Sequence, residues 1–368
     1  MPFKSVYVAA TGQHVGKTTS TLGLIHSLQT AGVNVGYCKP VGQKFVTKNG
    51  ERVDKDTALF AQFMGFEIEP DIHSPVILGP GDTVAYLDNP EEFKLKETLL
   101  EAANVLDKRH EMVIYEGTGH PGVGAVADVS NSVVADMVEA GLIMVVEAGI
   151  GNTIDKLDLN LSVFQTKNIP IIGVIVNKTR KNKMDKIRHY VGKKLESRGI
   201  PLLGVIPYEE ELGLPLMGTI CKAVNGQVIY NDQMMDNRVR DIVAGSLIDI
   251  ENLRHFNSQL LIVSVRRFDD ALRRIKLLVE QHNLAGSPLS GIILTGKGSL
   301  KKEHEDYINH HKIPVLRSFF DTYESVIKIS KIEVKINTRT PWKVQKAVEL
   351  FKEHVDVTPI MNRIKGII

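Results

Sequence analysis

Residues 8–24, VAATGQHVGKTTSTLGL, pass from an apolar, β-rich run through a polar glycine-bearing stretch into a helical pattern. Gly16-Lys17-Thr18 has the form that closes a phosphate-binding loop, G-x-x-x-x-G-K-[ST], and such a loop needs a strand that turns directly into a helix. Successive backbone N–H groups and the positive helix end then hold phosphates. Lys17 is expected to reach the β- and γ-phosphates, and the Thr18 hydroxyl to bind Mg²⁺. The common spacing asks for a glycine at position 11, where this chain has Thr11. The alternative is a plain glycine turn with a solvated lysine, and the strand-to-helix context of GKTT argues against it.

The rest of the chain supplies the sheet that such a loop requires. SVYVAA (5–10), VNVGYC (33–38), MVIYEG (112–117), LIMVVEAG (142–149), IIGVIVN (171–177) and LLGVIP (202–207) read as buried parallel strands. Between them, Leu22, Ile25 and Leu28 share one helical face, as do Ile154, Leu157, Leu161 and Phe164. The alternation predicts an α/β fold, a doubly wound parallel sheet, over residues 1–210. PYEEELGLP (207–215) interrupts the rhythm with charges and two prolines. A smaller α/β domain is expected over 216–356. Its strands would be QLLIVSV (259–265), SGIILTG (290–296) and IPVLRSF (313–319), with one helix burying Leu272, Ile275, Leu278 and Val279. The last helix begins at Thr340-Pro341 and buries Val344, Ala347, Val348, Phe351 and Val355, and 357–368 reads as a tail.

Composition bounds the function. Lys plus Arg (45) nearly balances Asp plus Glu (43) in 368 residues, and aromatics make up 6%, which argues against a nucleic-acid binder. Cys38 and Cys221 are the only cysteines, so no disulfide framework or metal knuckle is expected. MPFKSVYVAATG lacks the apolar core of a signal peptide, and no run of about 18 apolar residues suggests a membrane span. A soluble, cytoplasmic protein without a membrane partner is the expectation.

Two carboxylates join the loop as candidates. Glu116 ends the strand MVIYEG and reads either as a Mg²⁺ carboxylate or as an ion-paired strand end. Asp56, in DKDTALFAQ, opens a helix and reads either as a second Mg²⁺ carboxylate or as a plain N-cap. EGTGHPGVGAVADVSNS (116–132), with His120, Asp128 and Asn131, would line a pocket beside the γ-phosphate or form an ordinary mobile loop. The basic run 177–194 reads as a solvated helix face, with a phosphate or acidic-partner contact as the alternative. Asp321 and Glu324 in DTYES fit a helix cap.

VGKT, YCKPVGQ, DTAL, YEGTG and VIVNK, in this order, resemble dethiobiotin synthetase and its relatives. That family has a longer loop whose leading position falls on Ala10 here. KPVGQ with Gln43, GNTIDKLDLNLS, LLGVIPYEEELGLPLMGTI, GIILTG and FDTYESV are more similar still to the N-terminal region of long phosphotransacetylases. There, a dethiobiotin-synthetase-like domain precedes a DRTGG-type domain. The resemblance covers roughly residues 4 to 356, and the acetyltransferase domain that would follow is expected to be missing. It implies ATP and Mg²⁺ as cofactors. Gly12, Gln13, His14, Val15, Gly16, Lys17, Thr18 and Thr19 would bind the nucleotide, Asn177 would meet the adenine, and Thr18, Asp56 and Glu116 would hold the metal. Lys17 and Lys39 would be the catalytic lysines, Lys39 lying beside substrate and γ-phosphate. Gln43 replaces the serine of dethiobiotin synthetase. The string DRTGG itself is missing, VSVRRFDDALRRI and ILTGKGS standing at its characteristic segments. Relatives of this fold commonly dimerise, so a homo-oligomer is implied.

Two functions follow from the resemblance, and the first ranks higher. One is a nucleotide-sensing regulatory module, in which ATP–Mg biases contact with the second domain, another subunit or a partner enzyme. The other is an ATP-dependent carbon–nitrogen ligase of the dethiobiotin synthetase or cobyrinic acid a,c-diamide synthase type, acting on a small carboxylate or carbamate. A partitioning-type ATPase needs a lysine early in the loop, and Thr11-Gly12-Gln13-His14 offers none.

Overall fold

The computed structural model describes residues 4–48, 50–245 and 255–364. Positions 365–368, which belong to the expected tail, lie outside the described residues. Six strands form the sheet of the first unit: β1 (Ser5–Ala10), β2 (Val35–Cys38), β3 (Met112–Glu116), β4 (Gly141–Glu147), β5 (Ile171–Thr179) and β6 (Leu202–Pro207). They pair in the order β6-β5-β4-β1-β3-β2, all parallel. β1 and β3 are buried along their whole length, which is why they read as unbroken apolar runs rather than as alternating ones. From β1 the chain turns toward β2 and β3, and from β3 it returns to the other side as β4. The crevice at the carboxyl ends of β1 and β3 is thus the switch point where α/β sheets hold ligands.

Helix α1 (Lys17–Thr30) leaves the loop directly and buries Leu22, Ile25 and Leu28. Between β2 and β3 the chain forms an antiparallel hairpin of two short strands, Phe45–Lys48 and Glu51–Asp54, which leads straight into α2 (Lys55–Met64). α3 (Leu95–Arg109), α4 (Asn131–Met137), α5 (Gly151–Gln165) and α6 (Met184–Glu196) make up most of the remaining helical cover of this sheet. No helix among the described residues is long and apolar enough to cross a membrane.

The second unit spans Glu210–Lys335, and the first resumes at Ile336. It begins with α7 (Met217–Ala223) and builds a five-stranded sheet from β7 (Gln227–Tyr230), β8 (Asp241–Ala244), β9 (Gln259–Ser264), β10 (Leu289–Thr295) and β11 (Val315–Arg317). The order is β7-β11-β10-β9-β8, parallel except for β7. The two strands beyond the sequence expectation, β7 and β8, are partly exposed edges of four residues each, with an apolar run of only three apiece. α8 (Phe268–Gln281), α9 (Lys302–His310) and α10 (Thr322–Ser330) complete it, with the Asp321 carboxylate accepting from Glu324 N as the DTYES reading expected.

The end of the chain departs from the expected division. α11 (Pro341–His354) belongs to the first unit, not to a domain ending at 356. Its Phe351, fully buried, rests on α1 at Gly23, where any Cβ would lie 2.1 Å from the Phe351 ring. The following residues cover the open edge of β6, Gly204 bridging Val355 and Asp356 N donating to Leu203 O at 2.8 Å. The expected tail is helical over α12 (Thr358–Ile364), with Ile360 fully buried. An apolar helix face carries no label saying which core it joins, and sequence order suggested the wrong one.

Candidate functional site

Thr11 begins the loop, its N–H donating to Val145 O of β4 at 3.1 Å. Gln13 and His14 are exposed at the tip, His14 at φ 58°, while Val15 turns inward. Gly16 closes the turn at φ 111°, a region closed to most L residues. Space enforces glycine as well as torsion: a Cβ at Gly16 would lie 1.8 Å from Asn177 Nδ2. That amide, at the end of β5, donates to Val15 O at 2.8 Å and so braces the loop from behind. Asn177, expected at the adenine, is only 5% exposed and has its amide engaged with the loop. Lys17 bends back over the loop, its Nζ donating to Gly12 O at 3.2 Å and to Gly119 O at 2.8 Å. Thr18 and Thr19 open α1 half-buried.

The carboxylates converge on the same corner from two other elements. Glu116, the last residue of β3, accepts from the Thr18 hydroxyl and from Lys39 Nζ on the same oxygen, Oε1, both at 3.2 Å. Lys39, just past β2, also reaches Asp56 Oδ2 at 3.0 Å and Gly117 O at 3.1 Å. The open choice at Asp56 is thereby decided in part. The N-cap of α2 is Asp54, whose Oδ1 accepts from Asp56 N at 2.8 Å, and Asp56 lies in the first turn with its carboxylate on Lys39. Asp54 escaped the sequence reading, since two aspartates flanking one lysine at a helix start look alike. The hairpin that delivers them also escaped it, although Asn49-Gly50 is a turn signal.

Burial sets the electrostatics here. Glu116, Lys39 and Asp54 are all at most 3% exposed. Burial opposes the Lys39 charge, yet the combined field of Glu116, Asp56 and Asp54 outweighs it and holds the ammonium above the usual lysine range. Glu116 is pushed up, chiefly by burial and then by Asp56, against the pull of Lys39 and Lys17. Asp54 is pushed up to about 6, again by burial first and by Asp56 and Glu116 against Lys39. Three carboxylates therefore share one ammonium, and Glu116 Oε2 is buried with no hydrogen-bond partner among the described residues. An orphaned buried carboxylate oxygen beside a half-buried threonine hydroxyl is the donor set a hard divalent cation takes. The residues thus fit Mg²⁺, with Thr18, Asp56 and Glu116 as the side chains that would hold it.

The glycine-rich connection after Glu116 is not slack at its start. Asn131 Oδ1 accepts from Tyr7 OH at 2.8 Å and from Thr118 N at 3.0 Å. Its Nδ2 donates to Thr118 O at 2.7 Å and to His120 O at 2.6 Å. This side chain fixes residues 118–120, and with them the Gly119 carbonyl that holds Lys17. His120 is exposed, and Asp128 accepts from Tyr86 OH at 3.2 Å. In the basic run, Lys178 pairs with Glu147 at 2.8 Å, while Arg180, Lys181 and Lys183 stand in solvent. Neither cysteine lies in this cluster of side chains.

Residues 4–215 match the AAA_26 family, described as an AAA domain, and residues 219–332 match the DRTGG domain. The phosphate acetyltransferase of Acinetobacter baylyi is 21% identical over 392 residues, covering 98% of this chain and 52% of that protein. The ATP-dependent dethiobiotin synthetase BioD of Clostridium acetobutylicum is 27% identical over 216 residues, 56% of this chain and 88% of that protein. A probable cobyric acid synthase of Methanocaldococcus jannaschii is 29% identical over 243 residues, 57% of this chain and 46% of that protein. The chain spans about half the length of the phosphate acetyltransferases it matches.

Proposed function

The chain belongs to the AAA_26 family of AAA domains, and on that footing we propose that its first unit binds ATP with Mg²⁺ and serves as a nucleotide-sensing module. The observation that carries the reading is the orphaned, buried Oε2 of Glu116, the carboxylate whose other oxygen accepts from Thr18 and from the Lys39 paired with Asp56. Mg²⁺, held by Thr18, Asp56 and Glu116, would supply positive charge against the phosphates. The chain's own residues do the rest. Lys17, which donates to Gly12 O and Gly119 O, would turn to phosphate oxygens when nucleotide is bound. The backbone N–H groups of 12–18 and the start of α1 receive the phosphates. Lys39 stays charged at the far side, held by Glu116 and Asp56, and adds a second cation next to the terminal phosphate.

Support for sensing over turnover comes from the near-full-length likeness to one half of phosphate acetyltransferases, joined to a DRTGG domain. The signal passes to a partner enzyme or another copy of the chain. A second reading, an ATP-dependent ligase acting on a small carboxylate or carbamate, is favoured by Lys39. A buried ammonium that touches Gly117 O at the mouth of the 117–131 loop is where phosphoryl transfer would need charge stabilisation.

Calorimetric titration with ATP and Mg²⁺ tests the first reading. Saturable binding is expected, and Lys17→Ala should abolish it while leaving the protein folded. No heat and no thermal shift with any nucleotide would end the proposal. Phosphate release separates the two readings: turnover stimulated many-fold by a small acid, diamine or bicarbonate would put the ligase first.

A further inference from the structure

We propose that the second unit carries a binding site of its own for a small phosphorylated ligand with a flat ring, of the nucleoside-phosphate class. It lies on the loops that follow β9, β10 and β11. These strands are parallel neighbours, so their carboxyl ends form one rim. The loops after β9 and β10 touch, and the last residue of β11 reaches the second of them. Gly298 lies against Val265, where a Cβ on it would come 3.1 Å from Val265 Cγ1. The Arg317 guanidinium donates to Gly296 O at 2.9 Å and to Gly298 O at 3.0 Å. In a trans peptide the carbonyl and the following N–H point in opposite directions. The N–H groups of Lys297 and Ser299 are therefore turned away from Arg317, out of the loop, where an anion can accept from both.

The rim also carries two rings with no role in the core. Phe319 is 82% exposed and Tyr323 is 75% exposed, the highest values among the exposed large hydrophobic residues described. They flank the Asp321 cap, one in the loop after β11 and one in the first turn of α10. A fold selected for stability alone places polar residues at such positions, whereas exposed rings offer a stacking platform for a conjugated ligand. Arg266, Arg267 and Lys297 stand exposed on the same rim and supply charge for phosphate. Asp270, Asp321 and Glu324, exposed around them, repel a long polyanion, which favours a mononucleotide over a nucleic-acid strand.

The test uses the full chain carrying Lys17→Ala, which removes the phosphate-loop lysine, and a fluorescent ADP analogue as probe. Saturable binding is expected. Adding Phe319→Ala and Tyr323→Ala should weaken it by at least about tenfold, while Phe319→Trp retains it. Inorganic phosphate in excess should compete. Both rings are exposed, so their removal leaves folding intact, which circular dichroism checks. No binding to the Lys17→Ala chain, or binding indifferent to loss of both rings, overturns the proposal. Ring-dependent binding of a single-stranded oligonucleotide tighter than the mononucleotide at equal ionic strength overturns the choice of ligand. Each outcome is independent of whether the wild-type first unit binds ATP–Mg.

Discussion

Replacing Lys39 by methionine tests the electrostatic account of the site. The swap keeps length and apolar packing but leaves Glu116 and Asp56 facing each other without the ammonium they share. Breaking a buried ion pair from one side costs about 3–5 kcal/mol. In a unit of this size 1 kcal/mol moves the melting temperature by about 2–4 °C, so a drop of about 6–20 °C is expected at neutral pH. Trp342 is the chain's single tryptophan and lies in the first unit, so its fluorescence follows the unfolding of that unit. The penalty must also depend on pH. Without Lys39 the folded-state pKa of Glu116, already pushed up by burial, rises further above the unfolded value. The deficit is then full above the folded value and shrinks as pH falls toward about 4, where the unfolded chain also takes up protons. Adding Glu116→Gln removes one of the stranded charges and should restore much of the loss. A Lys39→Met chain within about 1 kcal/mol of wild type at pH 7.5, or a deficit unchanged at pH 4.5, would refute the reasoning.

Further outcomes follow from single side chains. Gly16→Ala meets Asn177 at 1.8 Å and a φ of 111°, so it should cost about 1–3 kcal/mol and weaken nucleotide binding at least tenfold by calorimetry. Asp54→Asn keeps the cap on Asp56 N but removes a buried charge. Because the Asp54 carboxyl is pushed up from 3.8 to about 6, its charge weakens the fold as pH rises through that window. The variant should therefore gain in urea midpoint at pH 7.5 and show little change at pH 4. Gly23→Val forces α1 off Phe351, and a loss of about 2–4 kcal/mol in the same tryptophan-monitored unfolding is expected.

The parallel core was legible because strands buried on both faces are continuous apolar runs, and the phosphate loop because its geometry admits few residue types. Lys17, Thr18 and Glu116 followed from that loop and from the strand end facing it. What stayed hidden depends on distant partners. Nothing local shows that Lys39 meets a carboxylate 77 positions away, or that Asn131 ties down the loop holding Lys17. The pair Asp54 and Asp56 could not be assigned because the cap and the carboxylate that reaches Lys39 stand only two positions apart. Thr340-Pro341 announced a helix, but contacts distant in sequence, Phe351 on Gly23 and Val355 on Gly204, say which sheet it covers.

The central claim is that Thr18, Asp56 and Glu116 form a seat for a metal–phosphate pair. It is tested most directly by titrating ATP into the wild-type chain and into Glu116→Gln, each with excess Mg²⁺ and each with chelator. The account predicts that wild type loses at least about tenfold in affinity when Mg²⁺ is withdrawn, and that Glu116→Gln loses this dependence. Equal affinity with and without Mg²⁺ in the wild-type chain would contradict it.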